Sequence, residues 1–267
     1  MFPGLAAGGD DCFTLRGRWA AHFRDRLSDR FPRRIVLEVG CADAKFLATV
    51  AARHPDVGFV GLDWKFKQIH DGAARLQAAG LKNVMLLRGR AADLPRIFAP
   101  GEIDEAWVFH PEPCDEPKQR ANRLVTGPFL QMLAPLLRDD TATVAIKTDH
   151  VGYFQWVLGV MGEPAPPAIT AALHAAATAA PMPTGWPNIR LRELLAADDV
   201  PARSPAAMAH FVVTAVSADF WNDHPVLARV SGCCYANLQT PFEQRFVQKH
   251  RPIYFVELCK RTPAVTE

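Results

Sequence analysis

Short, almost unbroken apolar runs alternate with longer stretches that turn polar every third or fourth position through the first 162 residues of the chain. The runs "RRIVLEVG" (33–40), "VGFVGLD" (57–63), "NVMLLRG" (83–89), "IDEAWVFH" (103–110) and "ATVAIKTD" (142–149) read as five strands. Between and after them, "KFLATVAARH" (45–54), "KFKQIHDGAARLQAAG" (65–80), "PFLQMLAPLLRDD" (128–140) and "HVGYFQWVLGVMG" (150–162) read as helices, the second closed by Gly80 as a C-cap. Upstream, an amphipathic, arginine-rich stretch over 12–34 predicts a helix leading into the domain. The alternation lapses over 163–208, which is rich in Ala and Pro. It resumes with "HFVVTAVSADF" (210–220) and a closing strand, "RPIYFVELCKR" (251–261).

Strands that are apolar throughout and separated by helices belong to a parallel sheet covered on both faces. The expected fold is therefore α/β: a doubly wound, mostly parallel, seven-stranded sheet that ends in an antiparallel hairpin and carries a helical insertion. Its parts are an N-terminal helical extension (1–34), an α/β core (35–162), an inserted helical cap (163–208) and the C-terminal part of the core (209–267). The Leu, Ile, Met and Trp content of the insertion favours a packed element over a linker. Its apolar residues, Ile169, Leu173, Met182, Trp186, Ile189 and Leu191, suit a lid over a small ligand, whereas Arg190, Arg192 and Arg203 are few for an RNA-gripping surface.

The 267 residues suffice for one large domain, or one domain with an insertion. A net charge of +2 is a mild basic bias, without the strong signature of an obligate nucleic-acid binder. Six cysteines form no CxxC and no zinc-ligand spacing, so reduced thiols and no metal are expected. With no signal-peptide pattern and no apolar run of membrane-spanning length, the expected location is cytoplasmic.

In a doubly wound sheet, ligands gather at the carboxyl ends of the strands near the switch point. Gly40 ends the first of these runs, and Asp63 ends the second, about 20 residues on, where a ribose diol is bound. A carboxylate suits a diol because it accepts two hydrogen bonds at once. No GxGxxG is present; Ala42 and Ala44 stand where further glycines would cradle a pyrophosphate. That argues against a dinucleotide and for S-adenosylmethionine. The fourth strand runs into "HPEPCDEPKQRANR", where Pro111 and Pro113 hold Glu112 between them. A carboxylate held so stiffly at a strand end is a candidate ligand contact. Its alternative role is a loop contact with Lys118 or Arg120. Glu38 could likewise serve backbone donors, Asp149 could cap the helix after it, and His110 is a candidate proton acceptor.

The segments "VLEVGCADAKFLATVAARHPDVGFVGLDW", "GLKNVMLLRGRAADL", "VFHPEPCDEPKQRANRLVTGPFLQMLAPLL", "IKTDHVGYFQWVL" and "TPFEQRFVQKHRPIYFVEL" resemble the bacterial tRNA guanine-N7 methyltransferase family. The resemblance covers most of 35–162 and 210–261. It implies a class I, Rossmann-like methyltransferase fold and S-adenosylmethionine as cofactor, contacted at Glu38, Gly40, Asp63, Trp64, Arg90 and Glu112. It implies a catalytic role for Glu112, at the position of an aspartate, and substrate contacts at Asp149, Thr240, Phe242 and Glu243. The departures change the chemistry: the glycine-rich loop is reduced to Gly40, and the basic run after the Glu112 motif is thinned to Lys118, Arg120 and Arg123. Arg90 replaces an aspartate near the adenine, where a guanidinium cannot accept a hydrogen bond and Asp93 could take its place. Cys114 replaces a tryptophan, Glu116 a substrate-binding lysine and Pro241 a basic residue. The expected activity is methyl transfer to a ring nitrogen of a purine base, guanine N7 in tRNA. The alternatives are a small heteroaromatic acceptor on the same fold, or a non-catalytic protein that binds S-adenosylmethionine or tRNA.

Overall fold

The computed structural model describes residues 4–27, 32–164, 203–221, 223 and 238–261. The chain divides into two compact units. The first comprises Met1–Phe109, Gln131–Ala145 and Cys259–Glu267; the second comprises His110–Leu130 and Ile146–Leu258.

In the first unit the elements are β1 (Ala6–Gly8), α1 (Trp19–Arg26), β2 (Arg34–Val39), α2 (Lys45–Arg53), β3 (Val57–Asp63), α3 (Phe66–Ala78), β4 (Val84–Arg88), α4 (Leu94–Ile97) and β5 (Glu105–Phe109). The strands lie in the order β1-β4-β3-β2-β5, and every neighbouring pair is parallel. The chain winds outward from β2 through β3 to β4, then returns to place β5 on the other side of β2. That reversal puts the switch point between the carboxyl ends of β2 and β5. Side chains from both faces of β2 and β3 are buried, as their unbroken apolar runs demand. The core between sheet and α2 is aromatic: Phe46, Phe59, Trp107 and Phe109 meet at ring separations of 5.5–5.9 Å.

The arginine-rich N-terminal stretch forms a shorter helix than 12–34, because Gly17 takes a left-handed φ of 76° just ahead of it. Two aromatics anchor α1. Trp19 is fully buried, stacks on Phe98 at 5.3 Å and donates its indole N–H to Ile97 O at 3.0 Å. Phe23 lies so close to Gly58 that a Cβ there would meet its ring at 2.4 Å, which is why β3 carries glycine at that point. The extension also supplies β1, an eighth strand beyond the seven expected. Its sequence, Ala-Ala-Gly, offers no apolar pattern to read.

α5 (Gly127–Leu133) and β6 (Thr143–Thr148) each run from one unit into the other. The helix expected over 128–140 stops at Leu133 and gives way to a 3-10 turn over Ala134–Leu136, since Pro135 cannot extend an α-helix. The second unit adds α6 (Val151–Met161), α7 (Pro205–His210), β7 (Phe211–Ser217), α8 (Pro241–Val247) and all of β8 (Tyr254–Lys260) but its last two residues, the strands lying in the order β6-β8-β7. Its core stacks Phe154 on Tyr254 at 5.1 Å and packs Phe220 against Phe255 at 4.9 Å. His150, not Asp149, caps α6: its Nδ1 accepts from Tyr153 N at 3.1 Å, and Gly162 ends the helix at φ 70°. Of the expected cap over 163–208, residues 165–202 lie outside the described residues, Trp186 among them. Among the described residues, no helix is long and apolar enough to cross a membrane.

Candidate active site

Five of the candidate residues belong to the first unit and five to the second. In the first, Glu38, Gly40, Asp63, Trp64 and Arg90 come together around the carboxyl ends of β2, β3 and β4. Glu38 is buried near the end of β2, in register with Gly61 of β3 and Trp107 of β5. Gly40 follows with φ 88°, its N–H and that of Cys41 both donating to Leu62 O, at 2.7 and 3.1 Å. A Cβ on Gly40 would meet nothing within 4 Å, so its outer face is open to a ligand. Asp63 ties the turn to the next helix: one carboxylate oxygen accepts from Ala42 N at 3.2 Å and the other from Lys65 N at 2.8 Å. Each oxygen keeps a second lone pair for a hydroxyl group. Beyond it, Trp64, Arg90 and Asp93 line a cavity of about 310 Å³ with Gly9, Arg88 and Gly89. Asp93 accepts from Arg90 N at 3.1 Å, so a carboxylate stands in this cavity even though Arg90 itself offers only donors.

In the second unit, the chain leaves β5 through His110 in left-handed conformation, φ 51°, and Cys114 repeats it at φ 48°. Glu112, between them, is exposed. Among the described residues no hydrogen bond or ion pair holds its carboxylate. Lys118, one partner considered for it, lies 3.5 Å from Glu116 instead.

Below this loop lies a buried chain of charges. Lys147 Nζ sits 3.0 Å from Glu243 Oε1, and both side chains are fully buried. His110 bridges Asp149, at 3.6 Å, and Glu243, at 3.8 Å. Burial alone would lower the His110 pKa, but the two carboxylates overcome it and raise the value. Burial would likewise raise the Glu243 pKa, yet Lys147, His110 and the Thr240 amide hold it down at about 2. Thr240 and Glu243 form a capping box at the start of α8: Glu243 Oε2 accepts from Thr240 N at 2.6 Å, and Thr240 Oγ1 accepts from Glu243 N at 3.0 Å. Pro241 occupies the first helical position, where a missing amide is harmless. Phe242 is left 41% exposed, its ring 4.7 Å from that of His110.

Asp149, Thr240, Phe242 and Glu243 are thus one cluster, although Glu243 faces inward. Sequence reasoning passed over Lys147 and gave His110 only passing weight. The signal for Lys147 was a lone cation inside an otherwise apolar strand, which needs a buried anion. For Thr240 and Glu243 it was the Thr-x-x-Glu spacing itself. Among the described residues, no group of three or more His, Cys, Asp or Glu is arranged to hold a metal.

Residues 32–174, more than half of the chain, match the family described as "Putative methyltransferase". The chain is 31% identical over 152 residues to a tRNA (guanine-N(7)-)-methyltransferase of Christiangramia forsetii, a match covering 57% of this chain and 65% of the relative. It is 34% identical over 122 residues to the protein of the same name from Bdellovibrio bacteriovorus, covering 46% and 58%. The chain therefore spans less than two thirds of the length of these relatives. A solved 16S rRNA (adenine(1408)-N(1))-methyltransferase from Catenulisporales acidiphilia shares the fold, with a TM-score of 0.50 at 16% identity over 91% of this chain and 94% of that one.

Proposed function

The chain belongs to the methyltransferase family that its residues 32–174 match, and we propose that it methylates a purine ring nitrogen, N7 of guanine in tRNA, with S-adenosylmethionine as donor. The residues of the first unit fit such a cofactor: an open glycine turn at Gly40, a preset carboxylate at Asp63 for a ribose diol, and a cavity with Trp64 and Asp93 for a purine ring. Bound there, the cofactor supplies an electrophilic methyl group on a sulfonium.

The chain's own residues have a modest chemical task. N7 of guanine carries a free lone pair, so no base is needed, and rate comes from alignment and electrostatics. Glu112 is suited to accept from the N–H edge of guanine and to offset the positive charge that the ring gains on methylation. One observation carries this reading. The Glu112 carboxylate is exposed and has no protein partner among the described residues, whereas Asp115, Asp149 and Glu243 each lie within 4 Å of a histidine or lysine. A carboxylate held by Pro111 and Pro113 yet left unpaired is poised for a ligand.

The test is transfer of labelled methyl from S-adenosylmethionine to bulk tRNA, run beside a metabolite extract. Label should appear in tRNA as 7-methylguanosine. Glu112→Gln should lose on the order of 100-fold in turnover, with melting temperature and cofactor affinity near wild type. Label confined to small metabolites, or no transfer at all, would sink the acceptor assignment. A large fall in melting temperature would make Glu112 a structural residue.

A further inference from the structure

Two large aromatic side chains stand exposed within three residues of each other: Trp64 at 59% and Phe66 at 64%. Trp64 borders the cavity assigned to the cofactor. Phe66 does not. It borders a separate cavity of about 350 Å³, floored by the β1 residues Ala6–Gly8 and walled by Phe66, Ile69, His70 and Arg88. That volume is at the small end of the range for ligand sites.

The chemistry of its walls is specific. The Arg88 guanidinium lies 5.8 Å from the centre of the Phe66 ring, and the His70 ring lies 6.0 Å from it at 31°. Arg88 lines both cavities, and Arg90 lies two residues on, in the cofactor cavity. Among the described residues neither guanidinium has a carboxylate partner, unlike Arg75, which reaches Asp43 at 3.3 Å. The cavity opens where β1 and β4 end and α3 begins, at the carboxyl ends of the strands where Gly40 and Asp63 also lie.

An exposed phenyl ring, a guanidinium over it and a second unpaired cation nearby suit one ligand class in all their parts. A nucleobase stacks on the ring and the guanidinium plane, and its phosphates meet the arginines. An apolar peptide side chain would leave two cations unused; a free phosphate would leave the ring unused. We infer that the cavity at Phe66 and Arg88 is a stacking subsite for an unpaired nucleotide of the RNA acceptor, separate from the base that is methylated. The inference rests on the RNA acceptor proposed above, but has its own test.

Fluorescence polarisation of the full chain with unmodified tRNA, and with a single-stranded hexaribonucleotide, reads it directly. Phe66→Ala should weaken both by about 5- to 100-fold, with the salt dependence, melting temperature and S-adenosylmethionine affinity unchanged. Phe66→Trp should restore binding. Arg88→Gln should weaken binding and reduce the slope of log K against log salt by about one. If Phe66→Ala binds both RNAs like wild type, or loses cofactor affinity in the same proportion, the subsite is wrong. Should wild type methylate tRNA while Phe66→Ala keeps its KM for tRNA, the subsite falls and the acceptor assignment stands. Should wild type methylate no tRNA but bind the hexamer through Phe66, the acceptor assignment falls and takes the acceptor subsite with it, leaving only a nucleotide-stacking site at Phe66. If wild type binds neither RNA, both fall.

Discussion

At Gly40, Ala42 and Ala44 the backbone is left-handed, with φ of 88°, 47° and 54°. Alanine holds that conformation at a cost of about 1–2 kcal/mol, so the turn keeps its shape without the glycines that would make it easy. The contacts of Asp63 with Ala42 N and Lys65 N, and of Leu62 O with Gly40 N and Cys41 N, offset that strain. The two alanines differ in surroundings. Ala42 is exposed, and Ala44 is fully buried. Ala42→Gly should therefore stabilise the protein by about 0.5 kcal/mol, relief of strain outweighing the added freedom of the unfolded chain. Ala44→Gly should gain less or lose, since it also removes buried contact. Urea denaturation midpoints of the two variants decide this, and equal gains would mean that burial of the Ala44 methyl contributes nothing. Asp63→Ala should weaken S-adenosylmethionine binding by calorimetry; unchanged affinity would remove Asp63 from the cofactor site.

Among the elements, α8 shows how a short motif can tie a helix start to a buried ion pair. Its capping box fixes the helix start, Pro241 presets its first turn, and the same Glu243 that closes the box takes the Lys147 charge. Thr240→Ala should cost about 1 kcal/mol. Lys147→Met should cost about 3–5 kcal/mol, because it leaves Glu243 buried without its strongest partner. The double variant Lys147→Met, Glu243→Leu should recover much of that loss, as removing both charges removes the penalty. Midpoints of chemical denaturation at neutral pH test all three; a double variant as unstable as the single one would show that the pair itself stabilises. This ion pair also marks where reading the sequence stops. The apolar runs located β2 to β8 to within a residue or two at most ends, because burial on both faces leaves a continuous signal. That Gly40 and Asp63 stand at strand ends was legible because each closes one of these unbroken apolar runs. The pairing of Lys147 with Glu243, some hundred positions apart, and the left-handed turn at His110 arise from tertiary contacts, which no local pattern encodes. β1 was missed for the converse reason: three small residues join the sheet only because β4 offers an edge to pair with.

For the molecule as a whole, a net charge of +2 leaves little overall repulsion near neutrality, so the pH dependence of unfolding falls to individual buried groups. Three matter. The Glu243 pKa is depressed from 4.5 to about 2, so its contribution is present above pH 4.5 and lost as pH falls towards 2. The His110 pKa is raised above 6.5, so its contribution is complete below pH 6.5 and lost as pH rises through its folded value. His22 opposes it: burial and Arg26 lower its pKa, so its contribution is present above pH 6.5 and lost as pH falls below that. The wild-type profile above pH 5 therefore mixes two histidines of opposite sign, and a variant has to separate them. His110→Asn is suitable, since asparagine tolerates left-handed backbone and does not titrate. The stability difference between wild type and His110→Asn should be largest at pH 5 to 6.5, where protonated His110 faces Asp149 and Glu243 with Lys147 behind them. It should shrink as pH rises beyond 6.5 and level off once the folded histidine has lost its proton. Thermal denaturation of both proteins in matched ionic strength from pH 5 to 9 measures it. A difference that stays constant across that range would mean that His110 holds its place by packing against Phe242 and not by charge.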